Sequence, residues 1–311
     1  MQCPESSDVQ SDQSKQVGLT LFTTAKPFVG HSAIIQRNAL RSWSLLVPRP
    51  QILLVGDEEG YEQAATEVGA GRVPDLVRNE FGTPLLSGIF RSGHEHSNGR
   101  VLVFLNTDII LPPLFAQAVA IVERSFPRFL LVGRRVDLDI DQPVIFDDGW
   151  YERLSTRAAA DGTARGDLCI DYFAFTRDLF ETVPPFAIGR TRYDNWLIWR
   201  AAEEGAVVVD ASAFVKVLHQ NHDYGHMGGL IKAWEGTEAK RAEELLGHWS
   251  HYHSISHASF MLTASGEPRP VQGLRYATAR PRRVLSHLLR STRPIRRRAK
   301  VLFGGHSRDD E

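Results

Sequence analysis

Blocks of apolar and polar residues alternate along the first half of the chain. Short runs rich in β-branched and aromatic residues predict buried strands, and each is followed by a segment with apolar residues at helical spacing. The predicted strands are 18–24, 51–57, 76–79 and 101–105, and the predicted helices are 31–43, 61–68, 83–96 and 112–126. Such an alternation of strands and helices is typical of a parallel sheet with helices on its faces.

The pattern is less regular in the second half of the chain. Strands are predicted at 129–134, 168–176 and 207–209, helices at 177–180 and 194–204, and a polar loop at 137–166. We therefore expect an α/β fold with a mostly parallel central sheet, helices on both faces, and α+β additions in the second half. The sequence shows neither an internal repeat nor a linker between two cores.

Composition is that of a soluble globular protein, with 42% hydrophobic and 23% charged residues. No apolar stretch reaches the roughly 20 residues that a membrane-spanning helix needs. Residues 1–16 are polar and resemble a disordered leader rather than a secretory signal. The two cysteines, Cys3 and Cys169, favour a reducing compartment over a disulfide framework or a Cys-rich zinc module. These features predict a cytoplasmic protein with one main domain at 17–267.

Charge separates the C-terminal segment from the rest of the chain. Residues 268–308 contain twelve Lys and Arg and no acidic residue, whereas 1–267 carry a net charge of −10. Two interpretations stay open for the tail, 268–311. It is either a flexible, solvated extension or a peripheral membrane contact made by a basic amphipathic helix around 282–290. Nucleic-acid binding is not expected, because the body is acidic and aromatic residues among the basic ones are few.

Acidic residues occur where predicted strands end, and three common ligand motifs are absent. The chain has no GxGxxG after its first strand, no GxxxxGK[ST] loop and no GxSxG elbow. Asp57 lies at the carboxyl end of the second predicted strand, and Asp108 follows VLVFLNT. Because ligands of such sheets bind beyond the carboxyl ends of the strands, both side chains should border one crevice.

The stretch Asn106-Thr107-Asp108 is the first candidate site. A carboxylate at a strand end can hold a divalent cation through its oxygens, and the cation can neutralise a diphosphate. Asn and Asp side chains also stabilise turns. From the residues alone, both interpretations stay open.

The second candidate site is GRTRYDNWL, in which Asp194 follows an aromatic residue at the start of a predicted helix. Asp194 suits a general base that accepts a proton from an acceptor hydroxyl, and it equally suits a helix N-cap. Arg190 and Arg192 offer bidentate contacts to phosphate or carboxylate. We expect Asp171 and Trp196 on the acceptor side of the same site.

Histidines are concentrated late in the chain, and seven of the twelve lie between 219 and 257. His219, His222 and His226 fall within eight residues, directly after a predicted strand. Three interpretations stay open: one of them is a metal ligand beside Asp108, all three form a zinc site, or all are ordinary hydrogen-bonded histidines.

The order of these motifs resembles that of GT-A-fold nucleotide-diphospho-sugar transferases, and in particular of glycosyltransferase family 2. The resemblance covers residues 17–262 and rests on LTLFTTAKPF, LLVGDEEG, VLVFLNTDIIL, and PPFAIGRTRYDNWLIWRAAEEG followed by VLHQNHDYGH. It implies a nucleotide-sugar donor and a divalent cation, Mn²⁺ or Mg²⁺. It also implies a glycan, a lipid-linked molecule or a small molecule as the acceptor.

The resemblance also implies a role for each candidate residue. Asp108 would hold the metal ion, and Asn106 replaces the first acid of a DxD motif, so that it accepts a hydrogen bond without adding charge. His219 or His222 corresponds to the late metal ligand, and Asp194 to the base of inverting members. The residues expected to contact the nucleotide-sugar are Thr23, Thr24, Asp57, Asn106, Asp108 and Arg190.

Transfer of a sugar to an acceptor hydroxyl, with inversion, is the activity that these roles predict. A base on the acceptor side and a metal ion on the leaving diphosphate suit a single displacement. One alternative is a sugar-1-phosphate nucleotidylyltransferase, which would carry a Gly-rich GTRL-type signature where this chain has TTAKPFVGHS. The other alternative is a non-catalytic domain that binds a sugar nucleotide or a glycan.

Overall fold

The computed structural model describes residues 18–222 and 236–273. The described strands are β1 Leu19–Thr23, β2 Gln51–Val55, β3 Gly71–Val73, β4 Val101–Leu105, β5 Ile109–Ile110, β6 Phe129–Val132, β7 Arg135–Leu138, β8 Thr163–Ala164, β9 Tyr172–Thr176, β10 Val207–Asp210, β11 Val217–Gln220, β12 Phe260–Leu262 and β13 Pro268–Pro270. The described α-helices are α1 Gly30–Ser44, α2 Tyr61–Val68, α3 Leu86–His96, α4 Phe115–Ser125, α5 Trp150–Asp161, α6 Tyr193–Glu203 and α7 Thr237–Leu246.

Nine strands form the central sheet, in the order β13-β12-β10-β6-β9-β4-β1-β2-β3. Neighbouring strands are parallel except at β9, which runs antiparallel between β4 and β6, and at the terminal pair β12–β13. The predicted α/β fold with a mostly parallel central sheet is therefore confirmed.

Helices cover both faces of this sheet. The side chains of α1, α2 and α4 pack in one core layer, and those of α3, α6 and α7 pack in another. All five residues of β4 are buried, because each face of a central strand lies under a helical layer. This is why VLVFL is apolar at every position rather than at alternate ones.

The order of the parallel strands reverses between β1 and β4. Strands β1, β2 and β3 follow one another outward on one side, and β4 begins the other side. At such a switch point the loops after the two strands diverge and leave a crevice beyond their carboxyl ends. The loops that border it here begin at Thr24, after β1, and at Asn106, after β4.

A second sheet of four strands, in the order β5-β11-β7-β8, borders the same crevice. Strand β11 pairs with β5 on one side and with β7 on the other, so that His219 lies opposite Ile109 and Asp137. Helix α5 covers this sheet through Trp150, Leu154 and Ala158. The small sheet thereby brings chain segments about 80 residues apart to the turn after β4.

Two predicted elements in the first and middle parts of the chain are corrected. The third strand is Gly71–Val73 rather than 76–79, because pairing with β2 at the sheet edge defines it and its apolar pattern is weak. Residues 177–180 form a turn rather than a helix.

Two further corrections concern the second half. The predicted loop 137–166 contains the second half of β7 and all of α5 and β8. Helix α5 was missed because it buries only three side chains and is polar elsewhere. The predicted domain boundary after 267 falls inside the sheet, since Pro268–Pro270 pairs with β12 and Val271 is buried.

Among the described residues, no helix is both long and apolar enough to span a membrane. The predicted leader, 1–16, lies outside the described residues. The same holds for the tail from 274 onward, including the proposed amphipathic helix around 282–290, and for His226.

Candidate active site

A cavity of ≈ 430 Å³ opens at the switch point between β1 and β4. Its volume is in the range of small-molecule sites. The cavity, called the metal cavity below, is lined by Thr24 after β1, Asn106 after β4 and Tyr193 at the start of α6. Its charged and titratable lining residues are Lys26, Glu58, Arg78, Asp108, Arg135, Asp171, Arg190, His219 and His222.

Asp108, His219 and His222 form a compact triad in this cavity. One possible ligand atom from each lies within 4.8 Å of the others. Oδ2 of Asp108 is 3.1 Å from Nε2 of His222 and 3.6 Å from Nε2 of His219. The structure therefore brings together all three residues that the sequence predicted as metal ligands, two of them more than 100 positions from the third.

The backbone around the triad explains how it is positioned. The N–H of Ile109 donates to the carbonyl of Asn106 at 3.3 Å, so a turn does follow β4. The backbone N–H and the side-chain amide of Gln220 donate to the carbonyl of Asp108, at 3.0 and 3.2 Å. Because the backbone makes these bonds, the Asp108 carboxylate is left to face the two imidazoles.

The electrostatics of the triad stabilise a carboxylate. Burial alone would raise the pKa of Asp108, but the charges and hydrogen bonds of His219 and His222 hold it well below its usual range. Burial disfavours a protonated His219, yet the charge of Asp108 raises the pKa of that imidazole to about 10. An imidazole binds a metal ion only without this proton, so metal binding here would release it.

The triad fits a divalent cation. Oδ1 of Asp108 is buried and makes no hydrogen bond to any described residue, so it has an unused lone pair in the cavity. Nδ1 of His219 lies 3.1 Å from Oδ1 of Asp137, close enough for this carboxylate to orient the imidazole as a metal ligand. Carboxylate ligands suit Mg²⁺ and Mn²⁺, whereas imidazole suits transition metals. The mixed set therefore favours Mn²⁺ over Mg²⁺.

A chain of ion pairs connects the triad to the rest of the cavity. Arg135 donates to Asp171 at 2.7 Å and to Asp137 at 2.8 Å. Asp171 also accepts a hydrogen bond from the side-chain amide of Asn106 at 3.0 Å. These bonds keep Asn106 beside Asp171. They also place a positive group, Arg135, next to a negative one, Asp171, in the lining of the cavity.

Asp194 lies at the edge of this arrangement and does not line the metal cavity, although the preceding Tyr193 does. It is the second residue of α6 rather than the N-cap, and its Oδ1 accepts a hydrogen bond from the N–H of Asn195 at 2.9 Å. Burial raises the pKa of Asp194 to about 7, and the nearby charge of Asp171 adds to the effect. A carboxyl with such a pKa can accept a proton near neutral pH.

The residue that leads into α6 has a strained backbone. Arg192 has φ of +89°, a conformation that residues other than Gly rarely adopt. Its guanidinium donates to Glu243 at 2.6 Å and lies 4.9 Å from the ring centroid of Trp249. These contacts hold the strained turn that orients Tyr193 and Asp194.

The predicted nucleotide-sugar residues divide into two groups. Thr24, Asn106, Asp108 and Arg190 line the metal cavity, and Arg190 is paired with Glu238 at 2.6 Å. Thr23 and Asp57 do not line it. The Thr23 hydroxyl is buried and donates to the carbonyl of Leu105 at 2.6 Å, so it links β1 to β4.

Asp57 is exposed, and its neighbour Glu58 lines the cavity in its place, paired with Arg78. The position after β2 is thus close to the cavity, and of the two adjacent acids it is Glu58 whose side chain lines it. Two adjacent side chains after a strand point in different directions, and the sequence does not say which direction faces the crevice.

The two predicted acceptor-side residues also differ. Asp171 lines the cavity and is paired with Arg135. Trp196 is buried in the core, with its ring 5.9 Å from that of Phe186, so the prediction that it faces an acceptor is corrected. Its position on α6 faces the sheet because the apolar side of the helix must be buried.

Sequence reasoning missed Arg135 and Asp137, which connect the triad to Asp171. Both lie on β7 and are two positions apart, so their side chains point to the same face of the strand. The alternation in RVDL, directly after the buried strand FLLV and Gly133-Arg134, was the available signal. Lys26 and Arg78, in loops, carried no comparable signal.

No family model and no curated protein matches the chain. Among solved structures, the chain is similar to glucosyl-3-phosphoglycerate synthase from Mycobacterium tuberculosis, at 16% identity and a TM-score of 0.48, over 85% of this chain and 93% of that one. The same enzyme with Mn²⁺ and UDP-glucose matches at 15% identity and a TM-score of 0.46, over 82% and 86% of the two chains. The same enzyme with Mg²⁺ and UDP matches at 16% identity and a TM-score of 0.45, over 82% of this chain and 87% of that one.

Proposed function

We propose that this protein transfers a glycosyl group from a nucleotide-diphosphate sugar to an acceptor hydroxyl, with a divalent cation and with inversion. The observation that carries the proposal is the triad of Asp108, His219 and His222 at the switch point of the sheet. A cation site at that place suits a ligand with a diphosphate, because the crevice beyond the strand ends is where such sheets bind nucleotides.

The leaving diphosphate needs positive charge. When bound, a divalent cation would supply Lewis-acid stabilisation of the diphosphate, held by Asp108, His219 and His222. Lys26, Arg78 and Arg190 line the same cavity and add positive side chains around it. Thr24 and Asn106 offer hydrogen bonds to the nucleoside or the sugar, since both line the cavity and neither carries charge.

The acceptor hydroxyl needs a base on the side opposite the leaving group. Asp194 is the candidate, since burial raises its pKa to about 7 and it directly follows the cavity residue Tyr193. In its ionised form it would take the proton of the acceptor hydroxyl as the new glycosidic bond forms. Asp171 and Arg135 would hold the acceptor side of the cavity in place through their ion pair.

A non-catalytic sugar-nucleotide-binding domain is the second candidate function. One observation favours it: Asp194 does not line the metal cavity. In this case the protein would bind a nucleoside diphosphate with a cation but would neither hydrolyse nor transfer the sugar.

Calorimetric binding and a turnover assay test the two candidates together. Binding of UDP, GDP and ADP to the full chain is measured with and without Mn²⁺, and hydrolysis and transfer are followed for a panel of nucleotide sugars. We expect cation-dependent binding of one nucleotide and turnover of its sugar derivative. Binding without turnover would favour the non-catalytic domain, and no cation-dependent binding would exclude both.

The matched variants are Asp108→Ala and Asp161→Ala. Asp161 is an exposed acid at the end of α5 and does not line the metal cavity. The first variant should lose cation-dependent binding and the second should keep it. Equal binding by both variants would contradict the assignment of the metal site.

A further inference from the structure

A second cavity, of ≈ 360 Å³, lies between α5 and the small sheet. Ser155, Ala158 and Gly162 form its helix side, and Leu218 of β11 contributes to its sheet side. Small side chains at positions three and four apart on α5 leave this space open.

Four cations line this second cavity: Arg134, Arg135, Arg165 and Lys216. No carboxylate is among its described lining residues. A concave surface lined by charges of one sign concentrates the field and attracts ions of the opposite sign. The second cavity therefore attracts anions, whereas the metal cavity carries both signs.

Two of these four cations are paired with carboxylates that do not line the second cavity. Arg135 is paired with Asp171 and Asp137, and Arg165 lies 3.3 Å from Asp137. Arg134 and Lys216 are therefore the two cations on which anion binding in this cavity depends. Nε of Arg134 is buried and makes no hydrogen bond to a described residue, and the nearest paired oxygen, on Asp167, is 4.0 Å away. Arg134 thus lines the cavity and has one guanidinium N–H that no described residue satisfies.

We propose that the second cavity binds the phosphate group of a phosphate monoester. A phosphate monoester carries about two negative charges near neutral pH. A guanidinium binds phosphate oxygens through paired N–H donors and an ammonium binds them as a point charge, roles that suit Arg134 and Lys216. The hydroxyl of Ser155 adds a neutral donor on the α5 side. This proposal does not depend on the proposed glycosyl transfer.

Binding of methyl phosphate to the full chain, measured by calorimetry with a metal chelator present, tests the proposal. We expect saturable binding that weakens about tenfold in Lys216→Ala and in Arg134→Gln, because each removes a charge-assisted contact. Lys216 is exposed and Arg134 is partly exposed, so both variants should fold, and thermal unfolding checks this.

Two controls separate this cavity from the rest of the surface. Arg78→Ala removes a cation that lines only the metal cavity, and Lys240→Ala removes an exposed cation on α7. Both should leave methyl phosphate affinity unchanged. No saturable binding, or binding that weakens in Arg78→Ala but not in Lys216→Ala, would overturn the proposal.

A phosphate monoester can belong to a free metabolite or to a lipid headgroup, and a second arm distinguishes these sources. Vesicles of phosphatidylcholine with and without phosphatidic acid are mixed with the full chain and with Lys216→Ala. Vesicle binding that requires phosphatidic acid and weakens in Lys216→Ala would assign the cavity to a lipid headgroup. Equal vesicle binding by both proteins, with methyl phosphate binding as above, would assign it to a free molecule.

Discussion

The metal cavity and the second cavity are similar in volume, at ≈ 430 and ≈ 360 Å³, and Arg135 lines both. They differ in charge. In the metal cavity a buried oxygen of Asp108 is without a hydrogen bond, and in the second cavity a buried nitrogen of Arg134 is, among the described residues. The first suits a cation and the second suits an anion. The sign of the unsatisfied group, rather than the size of the cavity, indicates the class of ligand.

Replacement of Asp108 should produce the largest difference in ligand binding between the two cavities. Asp108→Ala removes the only carboxylate of the triad, so we expect loss of Mn²⁺-dependent nucleotide binding and a fall in sugar transfer of about 10³-fold. Methyl phosphate binding in the second cavity should not change. Calorimetry and the turnover assay measure both effects, and near-normal turnover would show that Asp108 does not hold the cation.

Replacement of Asp194 tests whether the base belongs to the metal cavity. Asp194→Asn keeps the shape of the side chain but cannot accept a proton, so transfer should fall about 10²- to 10⁴-fold. Cation-dependent nucleotide binding should stay intact, because Asp194 is not one of the triad residues. Near-normal transfer by this variant would exclude Asp194 as the base.

Replacement of Asp137 should change the affinities of the two cavities in opposite directions, lowering that for Mn²⁺ and raising that for methyl phosphate. This carboxylate pairs with His219 on one side and with Arg135 and Arg165 on the other. In Asp137→Asn, Mn²⁺ affinity should fall about 10- to 100-fold, because His219 loses the group that orients it. Methyl phosphate affinity should rise, because the substitution removes a negative charge beside Arg135 and Arg165, which line the second cavity. A fall in both affinities would indicate a general loss of structure instead.

The pH dependence of transfer should follow the ionisation of Asp194. Its pKa of about 7 lies above the usual value, so the active ionised form is lost as the pH falls below 7, and the rate should fall about tenfold per pH unit there. The folded state also keeps this proton to higher pH than the unfolded state does. The free energy of unfolding should therefore decrease as the pH rises from about 4 to 7.

Asp194→Asn provides the control for both profiles. In this variant, the decrease in the free energy of unfolding that Asp194 causes between about pH 4 and 7 should be absent. Urea denaturation at several pH values measures it. A wild-type rate that stays constant from pH 5 to 8 would contradict the assignment of Asp194 as the base.

Replacement of Trp196 should have the smallest effect on either cavity. Trp196 is buried against Phe186, so Trp196→Phe should lower the free energy of unfolding by about 1–3 kcal/mol. The KM for the acceptor and the affinity for methyl phosphate should not change. A selective rise in the KM for the acceptor would show that Trp196 contacts the acceptor, as the sequence predicted, and would contradict its assignment to the core.

Much of the central sheet was predictable because its strands are buried on both faces. A strand such as VLVFL is apolar at every position, and that pattern is local. Helix α5 and strand β3 were missed because they bury few side chains and depend on neighbours distant in the sequence. The polar stretch 137–166 therefore resembled a loop.

The sequence by itself determined the α/β class, the switch-point crevice, and the residue types at the ends of β4 and β11. Tertiary structure alone decided which side chains meet there. It brought Asp108 to His219 and His222, put Glu58 in the place of Asp57, buried Trp196, and made Arg135 the link between two cavities. The physical reason is that hydrophobic patterns specify local structure and burial, whereas the pairing of β11 with β5 and β7 depends on contacts between distant segments.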